Sequence, residues 1–177
     1  MSNDLRNWLE LLGARIPGYT GYAERERRRD LDKLHREGLA DRLRAAKTPL
    51  TELVREMSST GRLIDVGPVD RVLKKIDGVE NRVRFASYGY SGFFDAERIE
   101  EQELQSIYQF DLALAEKVDD IEAKSRALKS GNSTDMKAAA ADVEGAVDEL
   151  NRTFDDRYRV INNFGQGPPP GGSIFNS

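Results

Sequence analysis

Two long apolar seams constrain this chain more than any other feature. Leu104, Ile107, Leu114, Val118, Ile121 and Leu128 follow a heptad, with Asp111 and Ser125 filling the positions between. Met136, Ala140, Val143, Val147, Leu150, Phe154 and Ile161 make a second seam. Alternating three- and four-residue steps put such a stripe on one side of a helix, which then needs another helix to cover it. Ser130-Gly131-Asn132-Ser133 is a short turn between the two. Residues 97–129 and 134–163 are therefore expected to be antiparallel helices joined at Gly131, with Asp95 capping the first and Thr134 the second. At 1.5 Å per residue each arm is roughly 45–50 Å long.

The preceding segments read as further helices. Leu5, Trp8, Leu9, Leu12 and Ile16 form one stripe that Pro17-Gly18 ends. Its polar face, with Asp4, Arg6, Asn7 and Glu10, has no cationic excess, so packing on the bundle is expected before membrane-surface binding. From Ala23 to Lys47 the chain is densely charged, with Leu31, Leu34, Leu39, Leu43 and Ala46 as core positions. His35 on this helix reads as a surface or half-buried residue. Thr48-Pro49 is expected to end that helix and start another, running to about Ser59 through Leu50, Leu53, Val54 and Met57. Thr60-Gly61 breaks the chain, and Gly67-Pro68 starts a helix carrying Val69, Val72, Ile76, Val79, Val83 and Ala86. Gly78 within it suggests close packing or a slight bend. The fold class is all-α: an elongated helical bundle of about five to six helices with a long C-terminal antiparallel hairpin. Residues 1–164 make one domain, and 165–177, with three prolines and two glycines in a row, are expected to be a disordered tail.

Two related motifs punctuate the helices. Gly18-Tyr19-Thr20-Gly21-Tyr22 precedes Ala23-Glu24-Arg25, and Gly89-Tyr90-Ser91-Gly92-Phe93 precedes Ala96-Glu97-Arg98. Glycines flanking aromatics allow backbone angles that a Cβ forbids, so each copy reads as a turn that starts a helix. The aromatics Tyr19, Tyr22, Tyr88, Tyr90, Phe93 and Phe94 should then meet at one end of the bundle. Ile16-Pro17-Gly18-Tyr19-Thr20-Gly21-Tyr22, Arg28-Arg29-Asp30-Leu31-Asp32-Lys33 and Ala86-Ser87-Tyr88-Gly89-Tyr90-Ser91-Gly92-Phe93-Phe94-Asp95 resemble an uncharacterised bacterial helical family associated with neighbours of band-7 (SPFH) membrane-scaffold proteins. The likeness covers roughly residues 16–115. It implies a membrane-scaffold setting and supplies no catalytic residue.

Composition narrows the function. Hydrophobic residues are 38% and charged residues 33%, a balance suited to elongated helices with much surface. A net charge of −4 gives no general attraction to nucleic acid or anionic lipid. Cysteine is absent, which removes thiol catalysis and zinc-thiolate sites. The single histidine, with no Glu-x-x-His, argues against a four-helix di-iron site, and neither a Gly-x-Ser-x-Gly elbow nor a P-loop is present. No metal, cofactor or catalytic residue is assigned. No apolar run approaches the ~20 residues that span a bilayer, and Met1 to Leu12 lacks a signal-peptide pattern, so the expected location is the cytoplasm or the membrane periphery.

Asp111 interrupts its seam, and a buried carboxylate needs a cationic or hydrogen-bonding partner. Arg28, Arg29, Arg82 and Arg84 are the expected partners. The residues marked for binding are Tyr19, Tyr22, Arg28, Arg29, Lys33, Tyr88, Tyr90, Phe93 and Asp111. The expected activity is that of a non-enzymatic scaffold or adaptor contacting a protein partner or a second copy through helix faces. A peripheral membrane protein using the N-terminal amphipathic helix is the alternative.

Overall fold

The computed structural model describes residues 3–87, 92–131 and 135–164. Its helices are α1 (Asn3–Arg15), α2 (Arg28–Ser59), α3 (Leu63–Phe85), α4 (Gly92–Asp95), α5 (Glu101–Ser130) and α6 (Met136–Asn162), with a 3-10 turn at Arg25–Arg27 ahead of α2. Among the described residues there is no strand. The tail after Phe164 and the residues Tyr88, Gly89, Tyr90 and Ser91 of the second glycine motif lie outside the described part. No described helix is long and apolar enough to cross a membrane.

Cross-helix pairs fix the packing. Lys124 meets Asp142, Lys117 meets Glu149 and Arg157 meets Asp111, so α5 and α6 run antiparallel. Arg44 with Glu80 and Lys47 with Asp77 make α2 and α3 antiparallel in the same way. Across the hairpins the numbers rise together: Arg42 pairs with Glu122 and Glu52 with Lys129, while Lys75 pairs with Asp148 and Arg82 with Asp155. Thus α2 lies parallel to α5, and α3 parallel to α6. The two hairpins stand side by side, with α3 and α5 at opposite corners. The end of α3 and the start of α5 sit across that diagonal from one another, at the end where α2 starts and α6 finishes, and residues 92–100 of the crossover between them are described. Both seams are buried along their length, from Ile107 to Leu128 and from Met136 to Ile161.

The first helix packs on α5. Leu5, Leu12 and Ile16 are buried, Trp8 and Leu9 are half-buried, and Arg15 Nε donates to Asp119 Oδ2 at 3.0 Å. Its apolar stripe is spent on the bundle. Gly38 lets Ile16 approach α2: a Cβ there would lie 3.2 Å from Ile16 Cγ2.

Four expected boundaries are corrected. No break occurs at Thr48-Pro49, and α2 runs through it. A proline inside a helix costs ~3 kcal/mol. Leu50, Leu53 and Met57 continue the Leu39–Leu43–Ala46 stripe in register, and burying each contributes about 1.5–3 kcal/mol, so the seam outweighs the proline. Next, α3 begins at Leu63, five residues before Pro68. Gly61 at φ +76° and the Arg62 N–H donating to Met57 O at 2.9 Å close α2 with a tight left-handed turn, after which α3 starts at once. Asp95 does not cap α5. Glu100 and Glu103 form a reciprocal capping box that starts α5 at Glu101, and Asp95 belongs to α4. The N-cap of α6 is Asp135, which accepts from the Ala138 N–H at 2.9 Å; Thr134 is outside the described residues. Gly78 is exposed with open space around it, so it serves no close approach.

Candidate functional site

Several seams carry polar residues at one level, near the crossover end. In α2 the stripe above Leu39 continues as Arg28, Asp32 and His35, all buried. In α5 it is Asp111, between Ile107 and Leu114. In α6 it is Arg157, between Phe154 and Ile161. The 16–24 turn adds Tyr19 and Tyr22 from the side. It takes this path because Gly18 and Gly21 adopt φ +86° and +85°. At Gly21 a Cβ would stand 2.5 Å from both Leu9 Cδ2 and the Tyr108 hydroxyl, so the chain passes where no other residue fits.

These groups form one buried layer. Tyr19 and Tyr22 hydroxyls donate to Asp111 Oδ2 at 2.7 and 2.8 Å. Arg157 Nε donates to Asp111 Oδ1. Arg157 Nη2 donates to the Tyr22 hydroxyl at 2.9 Å and lies 2.8 Å from Asp32 Oδ1. Asp32 Oδ2 accepts from Arg36 Nε at 2.9 Å. Tyr108 OH accepts from the Tyr22 N–H at 2.7 Å, and the two rings stack at 5.7 Å. His35 faces Asp111 twice: Nε2 is 3.2 Å from the backbone oxygen, and Nδ1 is 3.6 Å from Oδ1. Nδ1 makes no hydrogen bond.

Burial opposes the charge on Asp111, but the Arg157 guanidinium and its hydrogen bonds outweigh it and hold the carboxyl below its ordinary pKa. Burial, reinforced by Asp111, pushes both Tyr19 and Tyr22 well above the usual phenol range. Tyr108, also buried, is pushed up to about 12. Burial lowers the His35 pKa against the pull of Asp111, so the imidazole is neutral near pH 7. In that form Nε2–H donates to the Asp111 carbonyl and Nδ1 presents a lone pair to a carboxylate oxygen.

Two arginines of α2 fasten the crossover. Arg28 Nε donates to Tyr22 O at 2.9 Å, and its Nη1 to Ala96 O at 2.7 Å and Phe93 O at 3.2 Å, the carbonyls at the end of α4. Arg36 Nη1 donates to Arg84 O at 3.0 Å and Val83 O at 3.3 Å, the last carbonyls of α3. Terminal helix carbonyls lack intrahelical partners, so these guanidiniums cap two helices from a third. Phe93 packs edge-on against Tyr22 at 5.3 Å and Phe164 at 5.5 Å.

Of the residues marked in the sequence, Tyr19, Tyr22, Arg28, Phe93 and Asp111 are gathered here. Arg29 is at the rim, 3.1 Å from Asp95 and 4.8 Å from the centre of the Phe94 ring. It borders a surface depression of about 400 Å³ over Arg25, Glu26, Phe94 and Asp95. Lys33 does not belong: its side chain is 65% exposed, and it pairs with Glu37 at 3.8 Å on the outer face of α2. Tyr88 and Tyr90 fall outside the described residues. The partner of Asp111 is Arg157, and none of the expected four. Arg28 is engaged by carbonyls, Arg29 by Asp95, Arg82 by Asn151 and Asp155, and Arg84 by Asp41 and Glu80. His35 is fully buried, against its expected surface or half-buried place. Gly92 has no positive φ and needs none.

Arg157, Asp32, His35, Arg36 and Tyr108 were not marked beforehand. The signal for Arg157 was present: the α6 seam jumps seven residues from Phe154 to Ile161, and Arg157 fills the gap as Asp111 does in α5. Among the described residues, no three His, Asp or Glu side chains converge as metal ligands. Set against models of known protein families, curated proteins and solved structures, the chain matches none.

Proposed function

We propose that the protein is a non-enzymatic helical scaffold or adaptor acting through protein–protein contacts. The observation that carries this reading is the sealing of the polar layer. Asp111, His35 and Arg157 are fully buried, and their polar atoms are turned toward one another and toward Tyr19, Tyr22 and Asp32. An acid–base pair that works on a substrate has to come within hydrogen-bond reach of it. These groups face the inside of the bundle.

The outward surface supports the same reading. At the opposite end from the layer, Leu63 and Ile64 are 69% and 90% exposed at the start of α3. Two adjacent aliphatic side chains on a helix tip suit an apolar recess on a partner protein. The test is affinity capture from the native host by wild type and by the double variant Leu63→Asp, Ile64→Asp. Acidic residues are favoured in a first helical turn, so the variant should melt with wild type. A protein held by wild type and lost from the variant supports the proposal. Equal capture by both, or by neither, refutes the tip as the contact.

A further inference from the structure

His35 is the group in the layer whose charge changes nearest to neutral pH. We infer that the layer is a proton-operated latch: protonation of His35 releases residues 16–24 from Asp111 and uncovers the Tyr19, Tyr22 and Phe93 rings. The inference stands whatever partner the adaptor takes.

The groups facing His35 are Asp111 from α5, Arg157 from α6, Asp32 from its own helix and the Tyr19 ring at 5.8 Å from the 16–24 turn. With Arg28, Arg36 and Arg157 against Asp32 and Asp111, the layer holds three guanidiniums and two carboxylates, so it is already one charge positive while the imidazole is neutral. A proton on Nδ1 adds one positive charge at a fully buried position. Asp111 Oδ1 is 3.6 Å away, beyond hydrogen-bond range, and already accepts from Arg157. The attraction of Asp111 and Asp32 for the new charge does not make up for its lost hydration, and Arg157 repels it. Hydration is the remaining way to stabilise it, and something has to move to admit water.

The 16–24 turn is the element that yields. Besides the buried Ile16, Tyr19 and Tyr22 side chains, its hold on the helices is polar: the Tyr19 and Tyr22 hydroxyls at Asp111, Arg157 at the Tyr22 hydroxyl, the Tyr22 N–H at Tyr108, and the Arg28 bond to Tyr22 O. By contrast, α2, α3, α5 and α6 are joined along full-length apolar seams. Segments held by few contacts open at lower free energy than such seams. Tyr22 also covers Phe93, so its departure opens an aromatic surface at the crossover.

The sign follows from linkage. Burial lowers the His35 pKa in the closed state, whereas the open state has the ordinary value of about 6.5. The open state then binds the proton more tightly, and closure is strongest above that value. As pH falls from about 7.5 to about 5.5, the opening equilibrium rises by up to about ten-fold.

His35 is the sole histidine, so its ring signals in NMR report its titration without ambiguity. The experiment reads that titration in the full chain, together with amide hydrogen exchange of residues 16–24 and of 69–83 in α3 as an internal control. The expected result is a ring pKa below the ordinary value and an approximately ten-fold loss of protection at 16–24 at the lower pH. Protection in α3 should be unchanged, and in His35→Gln the loss should vanish. Should that variant not fold, the wild-type profile decides: the loss of protection should begin near the ordinary value of about 6.5 and level off where the ring itself titrates, below it. A ring pKa at or above about 6.5, pH-independent protection at 16–24, an equal loss in α3, or the same loss in His35→Gln each overturns the latch.

Discussion

Replacing Asp111 with alanine strikes the layer at its most connected atom pair. The carboxylate accepts from two tyrosine hydroxyls and from the Arg157 guanidinium, all fully or nearly fully buried. Removing one partner of a buried ion pair costs about 3–5 kcal/mol, because the other charge stays desolvated. Arg157 keeps Asp32 at 2.8 Å, which limits that penalty, while each stranded hydroxyl adds about 1–3 kcal/mol. The terms overlap, and about 4 kcal/mol is the expected total, a large share of the ~5–15 kcal/mol by which domains are stable. For a chain of this size each kcal/mol moves the melting temperature by about 2–4 °C, so the loss is about 8–16 °C. Thermal melting by far-UV circular dichroism at neutral pH reads it. The double variant Asp111→Leu, Arg157→Met removes both charges together and should melt above either single, with a coupling of at least about 2 kcal/mol. It should stay below wild type, since the Tyr19 and Tyr22 hydroxyls lose their buried partners and Asp32 is left with Arg36 alone. Melting of Asp111→Ala within ~2 °C of wild type, or simple additivity in the double, would refute the reasoning.

Gly21→Ala and Gly61→Ala both place a Cβ on a left-handed backbone, at φ +85° and +76°, but only the first collides with neighbours. Gly61→Ala should cost about 1 kcal/mol and Gly21→Ala at least twice that, as urea midpoints will show. Gly78 and Gly145 sit inside helices with open space around them, and changing both to alanine should raise stability by about 1–2 kcal/mol in the same assay. Phe93→Ala should cost about 3–5 kcal/mol through the cavity left among Tyr22, Phe94 and Phe164. A loss under about 1 kcal/mol would mean that the aromatic end is not core.

The helical layout was legible because a seam is a repeated signal. Every apolar position in the α5 and α6 runs adds to the same face, and Leu104 alone in those seams is less than buried. Boundaries rest on one or two residues and were read less well. Pro49 signals a stop by its chemistry, yet the stripe on either side of it shares one face, which packs against α3 and α5. Glu100 and Glu103 cap α5, although Asp95 has the better single-residue capping preference, because two side chains satisfying each other's backbone groups outdo one. Arg28 also ends α4 by taking the Ala96 and Phe93 carbonyls, a contact from 65 or more residues away that no local pattern contains.

The site was half legible for a related reason. A polar residue on a seam is a visible violation, and Asp111 stood out because apolar residues flank it in a strict heptad. Arg157 breaks its seam at the equivalent position, but the α6 stripe reads on past it from Phe154 to Ile161. His35 and Asp32 were obscured by their setting, in a stretch so charged that two more polar residues look like solvent-facing ones. What separates them from Lys33 is register. Counting back from Leu39 by four and then three reaches His35 and Asp32, and four more reaches Arg28, whereas Lys33 falls on the opposite face. Choosing the partner of Asp111 among the helix ends next to the glycine motifs selected Arg28, Arg29, Arg82 and Arg84. Choosing by complementarity of seam violations, one anion and one cation on antiparallel helices the same distance from their shared turn, selects Arg157. Buried charge in a helical bundle is thus better sought by aligning the interruptions of its seams than by searching for basic runs.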